Sequence, residues 1–194
     1  MGATVAQTLL DSGHSAGWVS SGRSEATAQR AGGCRAFLSL DEIAGWADAL
    51  ISVCPPHGAV ELAERVHATG FTGLFIDANA LAPATSLNIA EVVGTGAYVD
   101  GGIIGPPATK AGTTRLYLSG QHAAGVAAWF SAGALQAIAL PFDESDQPDQ
   151  QVAASMLKMS YAAYSKGASA LLLSVNALAE AGGVTEALRS EWAI

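Results

Sequence analysis

The sequence predicts an α/β fold in which a mostly parallel sheet carries helices on both faces and gives way to one long helix. Three observations carry that prediction. Short apolar strand candidates and helical segments alternate four times as far as Asp100, the pattern of parallel strands joined by right-handed crossovers. The run Ala49-Leu50-Ile51-Ser52-Val53 is apolar but for one serine and stops at Pro55-Pro56, as expected of a strand covered on both faces. After Asp146-Gln147-Pro148 the texture changes to small and apolar residues at helical spacing that continue to Gly182-Gly183. Such a helix spans roughly 50 Å, more than one crossover in a compact domain requires.

The elements follow in order. Met1 to Asp11 reads as an opening helix that stops at Ser12-Gly13, a C-terminal signal. Gly2 fits the sixth position of a GxGxxG fingerprint, the glycine that lets an opening helix pack closely on its sheet. On that reading the chain enters the motif after its first strand. Ala16 to Ser20 is a short strand bounded by Ser21-Gly22, and a helix runs from about Ser24 to Ala31. Ala36-Phe37-Leu38 is a brief strand. Ser39-Leu40-Asp41-Glu42 has the spacing of a capping box and starts a short helix through Trp46. A helix from His57 to about Thr69 follows the Ala49 strand. Leu74 to Asp77, a helix from Pro83 to about Val93, and Ala97 to Asp100 repeat the pattern. Thr114 to Leu118 and Ala137 to Leu140 flank a helix beginning near Gln121 and extend the sheet. A last helical segment runs from Thr185 to about Trp192.

Composition excludes several function classes. With 194 residues, half of them hydrophobic, the chain can bury one sizeable core. Its formal net charge of -8 and the lack of any Lys or Arg cluster argue against a nucleic-acid partner. No run reaches the roughly 18 apolar residues of a membrane span, because Lys158, Lys166 and Asn176 interrupt the richest stretch. Cys34 and Cys54 suit neither a disulfide framework nor a metal site. No targeting segment is visible, so a reducing cytoplasm is the expected location.

Four segments, in order, resemble one family. Ser52-Val53-Cys54-Pro55-Pro56-His57, Asp77-Ala78-Asn79-Ala80-Leu81-Ala82-Pro83-Ala84-Thr85, Tyr98-Val99-Asp100-Gly101-Gly102-Ile103-Ile104-Gly105-Pro106-Pro107 and Leu157-Lys158-Met159-Ser160-Tyr161 are similar to the motifs of 6-phosphogluconate dehydrogenase-like, or β-hydroxyacid dehydrogenase-like, proteins. The resemblance covers nearly the whole chain. It implies a Rossmann-type, doubly wound sheet lacking its first strand, a long interdomain helix and the start of an all-α domain. The implied domains are residues 1–145, an N-terminally incomplete NADP-binding domain, and residues 146–194. The missing strand would lie between the strands beginning near Ala16 and Ala49, so its absence opens the sheet between them.

The resemblance also assigns roles. A nicotinamide cofactor is expected along the C-terminal edge of the sheet, bound by Gly2, Ser21, Arg23, Cys54, Pro55 and Asn79. The loop after the second family strand, Ser20-Ser21-Gly22-Arg23-Ser24, holds no acid, and the planar fork of Arg23 can pair with a 2′-phosphate, which favours NADP (NADPH) over NAD. Asn79 offers donors and acceptors to a ribose or carboxamide, and its plainer role is turn formation. Cys54 reads as a small hydrophobe rather than a nucleophile. His57, at a helix start, is not favoured as an acid.

Lys158 is the expected catalytic residue, moving a proton at the substrate oxygen, with Met156, Leu157 and Met159 as its desolvating neighbours. Its plainer role is a lysine snorkelling off an apolar helix. Gly102, Gly105 and Tyr161 are the implied substrate contacts. Two departures stand out. The family's asparagine one turn after the lysine is here Ala162, with Tyr161 and Ser165 nearby on the same helical face. The substrate loop, usually a serine followed by two glycines, holds Ile104-Gly105-Pro106, which removes hydrogen-bond donors.

The resulting expectation is an NADP-dependent oxidoreductase acting between the nicotinamide and a small hydroxy or oxo compound. Two alternatives remain open: an imine reductase-like enzyme, and a truncated, non-catalytic remnant acting only in association. A small-molecule substrate is expected, with no nucleic acid, membrane or metal, and a homodimer for the full-length protein.

Overall fold

The computed structural model describes residues 1–142 and 151–193. Along them run α1 (Gly2–Asp11), β1 (Gly17–Val19), α2 (Glu25–Arg30), β2 (Arg35–Phe37), α3 (Leu40–Ala44) and β3 (Ala49–Ser52). There follow α4 (Ala59–Ala68), β4 (Leu74–Asp77), α5 (Pro83–Val93), β5 (Tyr98–Ile104), β6 (Thr114–Ser119), α6 (Ala123–Ala128), β7 (Leu135–Ala139), α7 (Ala153–Ala181) and α8 (Thr185–Trp192). The α/β class expected from the alternation is thus the one observed. The expected helix start near Asp146 lies outside the described residues.

Local signals act as their chemistry requires. Ser24 and Ser39 cap α2 and α3 by accepting from the amides of Thr27 and Glu42. The Glu42 carboxylate reaches back one residue beyond the cap, to the amide of Leu38 at 2.8 Å, a variant of the expected capping box. α5 opens with Pro83 in its first turn, where a missing N–H costs nothing.

Two sheets form. β1 and β2 pair in parallel as one, and β3-β4-β5-β6-β7 form the other. Within the larger sheet β3, β4 and β5 run parallel, β6 is antiparallel to β5, and β7 is parallel to β6. The strands beginning near Ala16 and Ala49 therefore belong to different sheets. β3 lies at the edge of its sheet, and Ala49, Leu50 and Ile51 are half-buried. The run is covered on both faces as expected, Ala49 and Ile51 packing against one core and Leu50 against the other, and its half-burial goes with the open edge, where the strand has one partner.

Each face of the larger sheet has its own core. Val5 of α1 and Val126 of α6 pack with Ile76, Val99, Leu116, Leu118 and Leu135 on one face. Ala59, Ala63 and Val66 of α4 and Ile89 of α5 pack with Phe75, Tyr98 and Val152 on the other. Ile76 and Val99 take one face and Phe75 and Tyr98 the other, the period of two that a pleated strand imposes. α1 is fastened to the far edge by polar bonds, the amides of Leu135 and Ala132 donating to the hydroxyls of Thr8 and Ser12.

The chain divides into two compact units, Met1–Lys158 and Met159–Ile194. The division falls inside α7, whereas the boundary expected from sequence, 145/146, lies outside the described residues. α7 has 29 residues and so a length of about 43 Å. In the second unit α7 ends at Ala181 and is turned off by Gly183, whose φ of +67° is one a glycine adopts readily, with the amide of Val184 returning to the carbonyl of Ala179. Tyr164, Leu171, Leu173 and Leu178 of α7 are exposed, as is Trp192 of α8.

Candidate functional site

Four buried polar residues form one row across the larger sheet. The register aligns Ser52 of β3 with Asp77 of β4, Asp77 with Asp100 of β5, and Asp100 with Ser119 of β6. None is more than 3% exposed. Ser52 and Asp77 close the C-terminal ends of the parallel strands β3 and β4, the edge at which open α/β sheets bind ligands.

One half of the row holds two loops together. Asn79, itself buried, accepts the amide of Cys54 at 2.6 Å and donates to the Ser52 hydroxyl at 2.7 Å, while its own amide donates to Asp77 Oδ1 at 2.9 Å. Both ends of the Asn79 side chain are therefore spent on joining the loop after β3 to the loop after β4. The structure places Asn79 beneath the site as a brace. Cys54 is half-buried and Pro55 exposed on the loop it braces.

The other half holds the first turn of α7. Asp100 accepts the amide of Ser155 at 2.7 Å and its hydroxyl at 2.6 Å, and the Ser119 hydroxyl at 3.1 Å. Ser119 in turn accepts the amide of Ala154 at 2.9 Å. The free N–H groups of a helix start are thus satisfied by a carboxylate and a hydroxyl from the sheet. Ser155 is also bonded to Ser86 of α5 at 2.8 Å.

Lys158 follows one turn later on the same helical face. It is half-buried, and its Nζ donates to the carbonyl of Ile103 at 2.7 Å. Gly102 makes this approach possible, because a Cβ there would stand 2.8 Å from the Ala154 carbonyl oxygen and 3.1 Å from Lys158 Cβ. Met156, expected as a desolvating neighbour of the lysine, is instead 51% exposed. The end of β5 packs against Lys158 through Gly102 and the Ile103 carbonyl.

Further expectations are corrected by the same strand. Gly102 and Ile104 lie within β5, which pairs with β6 as far as Ile104 opposite Arg115, so only Gly105 and the prolines belong to a loop. Gly105 has φ +126° and packs against the backbone at Thr113 and Thr114 with no room for a side chain. The Thr114 hydroxyl holds the Pro106 carbonyl at 2.6 Å, and the amide of Ala108 donates to Thr4 of α1. Gly2 of α1 stands over the end of β3, where an added Cβ would meet only Val53 Cβ, at 3.7 Å. That is ordinary contact, so helix packing alone does not require glycine there. Ser21 and Arg23 are exposed on the turn after β1, closed by the Arg23 amide on the Ser20 carbonyl. Tyr161 belongs to the second unit and is exposed. Among the described residues no three His, Cys, Asp or Glu side chains are grouped to hold a metal ion, and no helix is long and apolar enough to cross a membrane.

The polar row is electrostatically loaded. Burial, and secondarily the Asp100 charge, push the Asp77 carboxyl up to about 6, against the opposing bonds from Asn79. Burial also raises Asp100, against the hydrogen bonds from Ser155, Ser119 and Ser86. The Tyr98 phenol is pushed up by burial and by both carboxylates, and stays protonated. Asp77 Oδ2 is buried with no hydrogen-bond partner among the described residues. Because Asp77 takes up its proton more readily folded than unfolded, its ionised form costs stability above about pH 6, and that cost vanishes as the pH falls toward the ordinary value of 3.8. The full cost is about 3 kcal/mol. Asp77→Asn is therefore expected to gain on the wild type by about that amount between about pH 4 and pH 8. Urea unfolding at the two pH values measures it, and a difference independent of pH would contradict it.

The residues Asp100, Ser119 and Ser155 were not among the sequence-predicted site residues. Their signal was present: Phe75-Ile76-Asp77 and Tyr98-Val99-Asp100 put an acid at the same register position of neighbouring strands.

No protein-family model matches the chain, and no curated protein matches it. Solved structures do. A conserved protein of unknown function, described as structurally similar to 3-hydroxyacid dehydrogenases, is 25% identical, with 96% of this chain and 69% of that chain covered and a TM-score of 0.72. An imine reductase from Myxococcus stipitatus, a variant in complex with NAD+, is 19% identical over 95% of this chain and 63% of its own, with a TM-score of 0.70. A reductive aminase from Aspergillus terreus, in complex with NADPH and ethyl levulinate, is 19% identical over 99% of this chain and 68% of its own, with a TM-score of 0.68. The chain spans about two-thirds of the length of these structures. The chain shares the Rossmann-type fold of these 3-hydroxyacid dehydrogenase-like and imine reductase structures, and its own sheet is followed by the long helix α7.

Proposed function

We propose that this chain forms the cofactor-binding part of an NADP-dependent oxidoreductase that interconverts a small hydroxy compound and its oxo form. The observation that carries the reading is Lys158, held over Gly102 with its Nζ at the Ile103 carbonyl, beside the ligand-binding edge of the sheet. The residues present suit a dinucleotide. The loops after β3 and β4 are braced side by side by Asn79, Gly2 opens α1 above the end of β3, and Arg23 is an exposed cation on the turn after β1. A bound nicotinamide supplies or receives the hydride. Lys158 gives a proton to the substrate oxygen on reduction and takes it on oxidation, and the Ile103 carbonyl fixes its direction. The Cys54, Pro55 and Asn79 loops would hold the cofactor, and Gly102 and Gly105 are the proposed substrate contacts.

A second reading is imine reduction. It is favoured by Ile104-Gly105-Pro106-Pro107, which offers little to anchor a polar group, and by the likeness to solved imine reductases. Turnover of NADPH with a cyclic imine and none with hydroxy or oxo acids decides for it. The apolar side chains exposed on α7 and α8 fit a homodimer. A cytoplasmic setting suits both readings.

Binding is the first test. Titration with NADPH followed by fluorescence is expected to saturate, with NADH weaker. Arg23→Ala should weaken NADPH binding by about tenfold and leave NADH unchanged. No saturable binding of either nucleotide overturns the proposal, and equal loss for both removes Arg23 from cofactor choice.

A further inference from the structure

Asp100 is a buried carboxylate that three donors of Ser155 and Ser119 reach at 2.6–3.1 Å, with the Ser86 hydroxyl beside them. Two of the donors, the amide and hydroxyl of Ser155, belong to the first turn of α7, and the third is Ser119, which also receives the amide of Ala154. Bonds to an ionised acceptor are roughly twice as strong as neutral ones, and a negative charge is favoured at the positive end of a helix. The contact also fixes a register. Two residues along β5 from Asp100 is Gly102, on the same face of the strand, and three residues along α7 from Ser155 is Lys158, on the same face of the helix. Asp100 meeting Ser155 and Gly102 meeting Lys158 are successive steps of one helix-on-strand contact.

We propose that Asp100 is a positioning residue, whose carboxylate clamps the first turn of α7 to β5 and so sets Lys158 Nζ at the end of that strand. Its importance for catalysis rests on the role of Lys158 proposed above, but the clamp itself does not. The charged or titratable groups facing Asp100 are Asp77 on β4 and Tyr98 on its own strand; α7 contributes Ser155 to the contact and Lys158 one turn further on.

The test reads the lysine directly and needs neither cofactor nor substrate. Competitive acetylation with acetic anhydride, quantified by peptide mass spectrometry, compares Lys158 with Lys110 and Lys166 in the same molecule. Asp100→Asn keeps the shape and can still accept from the Ser155 amide while donating to its hydroxyl, so it removes the charge but spares the packing. In this variant Lys158 is expected to acetylate about fivefold faster relative to the other two lysines, whose own ratio stays fixed. A folded Asp100→Asn chain with the wild-type Lys158 rate overturns the proposal. Should that variant not fold, Ser155→Ala keeps the amide bond and loses only the hydroxyl, and it is expected to speed Lys158 in the same direction. An unchanged rate there also overturns the clamp. Absence of NADPH binding with a faster Lys158 would sink the oxidoreductase reading and leave the clamp standing.

Discussion

Replacing Lys158 by alanine is expected to lower NADPH-dependent turnover by about a thousandfold while leaving NADPH affinity within about twofold. The split follows from position. Lys158 lies over the end of β5, and its amine touches the Ile103 carbonyl rather than the loops braced by Asn79, where the dinucleotide is proposed to lie. Its loss therefore removes a proton donor at the reacting atom without removing a cofactor contact. Lys158→Met keeps most of the apolar stem and fills the same space over Gly102, so it separates packing from chemistry. Both variants should lose turnover alike. Undiminished turnover in either would take the lysine out of the mechanism, and a parallel loss of NADPH binding would make it a cofactor residue.

The largest effect on stability is expected from Gly102→Val. Its Cβ alone would lie 2.8 Å from the Ala154 carbonyl oxygen, a backbone atom of α7 that cannot turn aside, and 3.1 Å from Lys158 Cβ. The first turn of α7 must lift, breaking the Ser155 and Ala154 bonds to the sheet and the Lys158 bond to Ile103. The strain of inserting a side chain there costs about 3 kcal/mol, and Asp100 left buried without its donors adds to it. Gly2→Ala is the control, since its Cβ meets only Val53 at ordinary contact distance and alanine is the better helix former. Urea unfolding should show a large loss for the first and none for the second. Equal stability of Gly102→Val and the wild type would mean that α7 does not rest on β5 as described.

Most of the fold was legible because it is written in local signals. The apolar strands ended by Pro55-Pro56 or by Asp77, the serine caps and the proline at the start of α5 each act within a few residues. What escaped depends on long-range pairing. β5 runs four residues past Asp100 because β6 returns antiparallel beside it, a contact that Gly101-Gly102 does not announce. The edge position of β3 likewise depends on which strands pair, and its apolar run looks the same at an edge or in the centre. At the site, Lys158 was visible through the motif around it, and the loops of Cys54 and Asn79 by their place after strands. The burial of Asn79 as a brace was not, since one amide serves a ribose or two loops equally well. Nor was Asp100, whose partners lie 19 and 55 residues away in sequence.

The central claim is that the C-terminal edge of the sheet binds a nicotinamide dinucleotide beside Lys158. It is tested most directly by an NMR titration of the 15N-labelled chain with NADPH. Saturable shifts are expected at the amides of Ser21 to Arg23, Cys54, Asn79, Ala80 and Gly102, with the shallow cavity lined by Phe130 and Gly133 to Gln136 unmoved. No saturable shift, or shifts confined to residues away from that edge, would contradict the account.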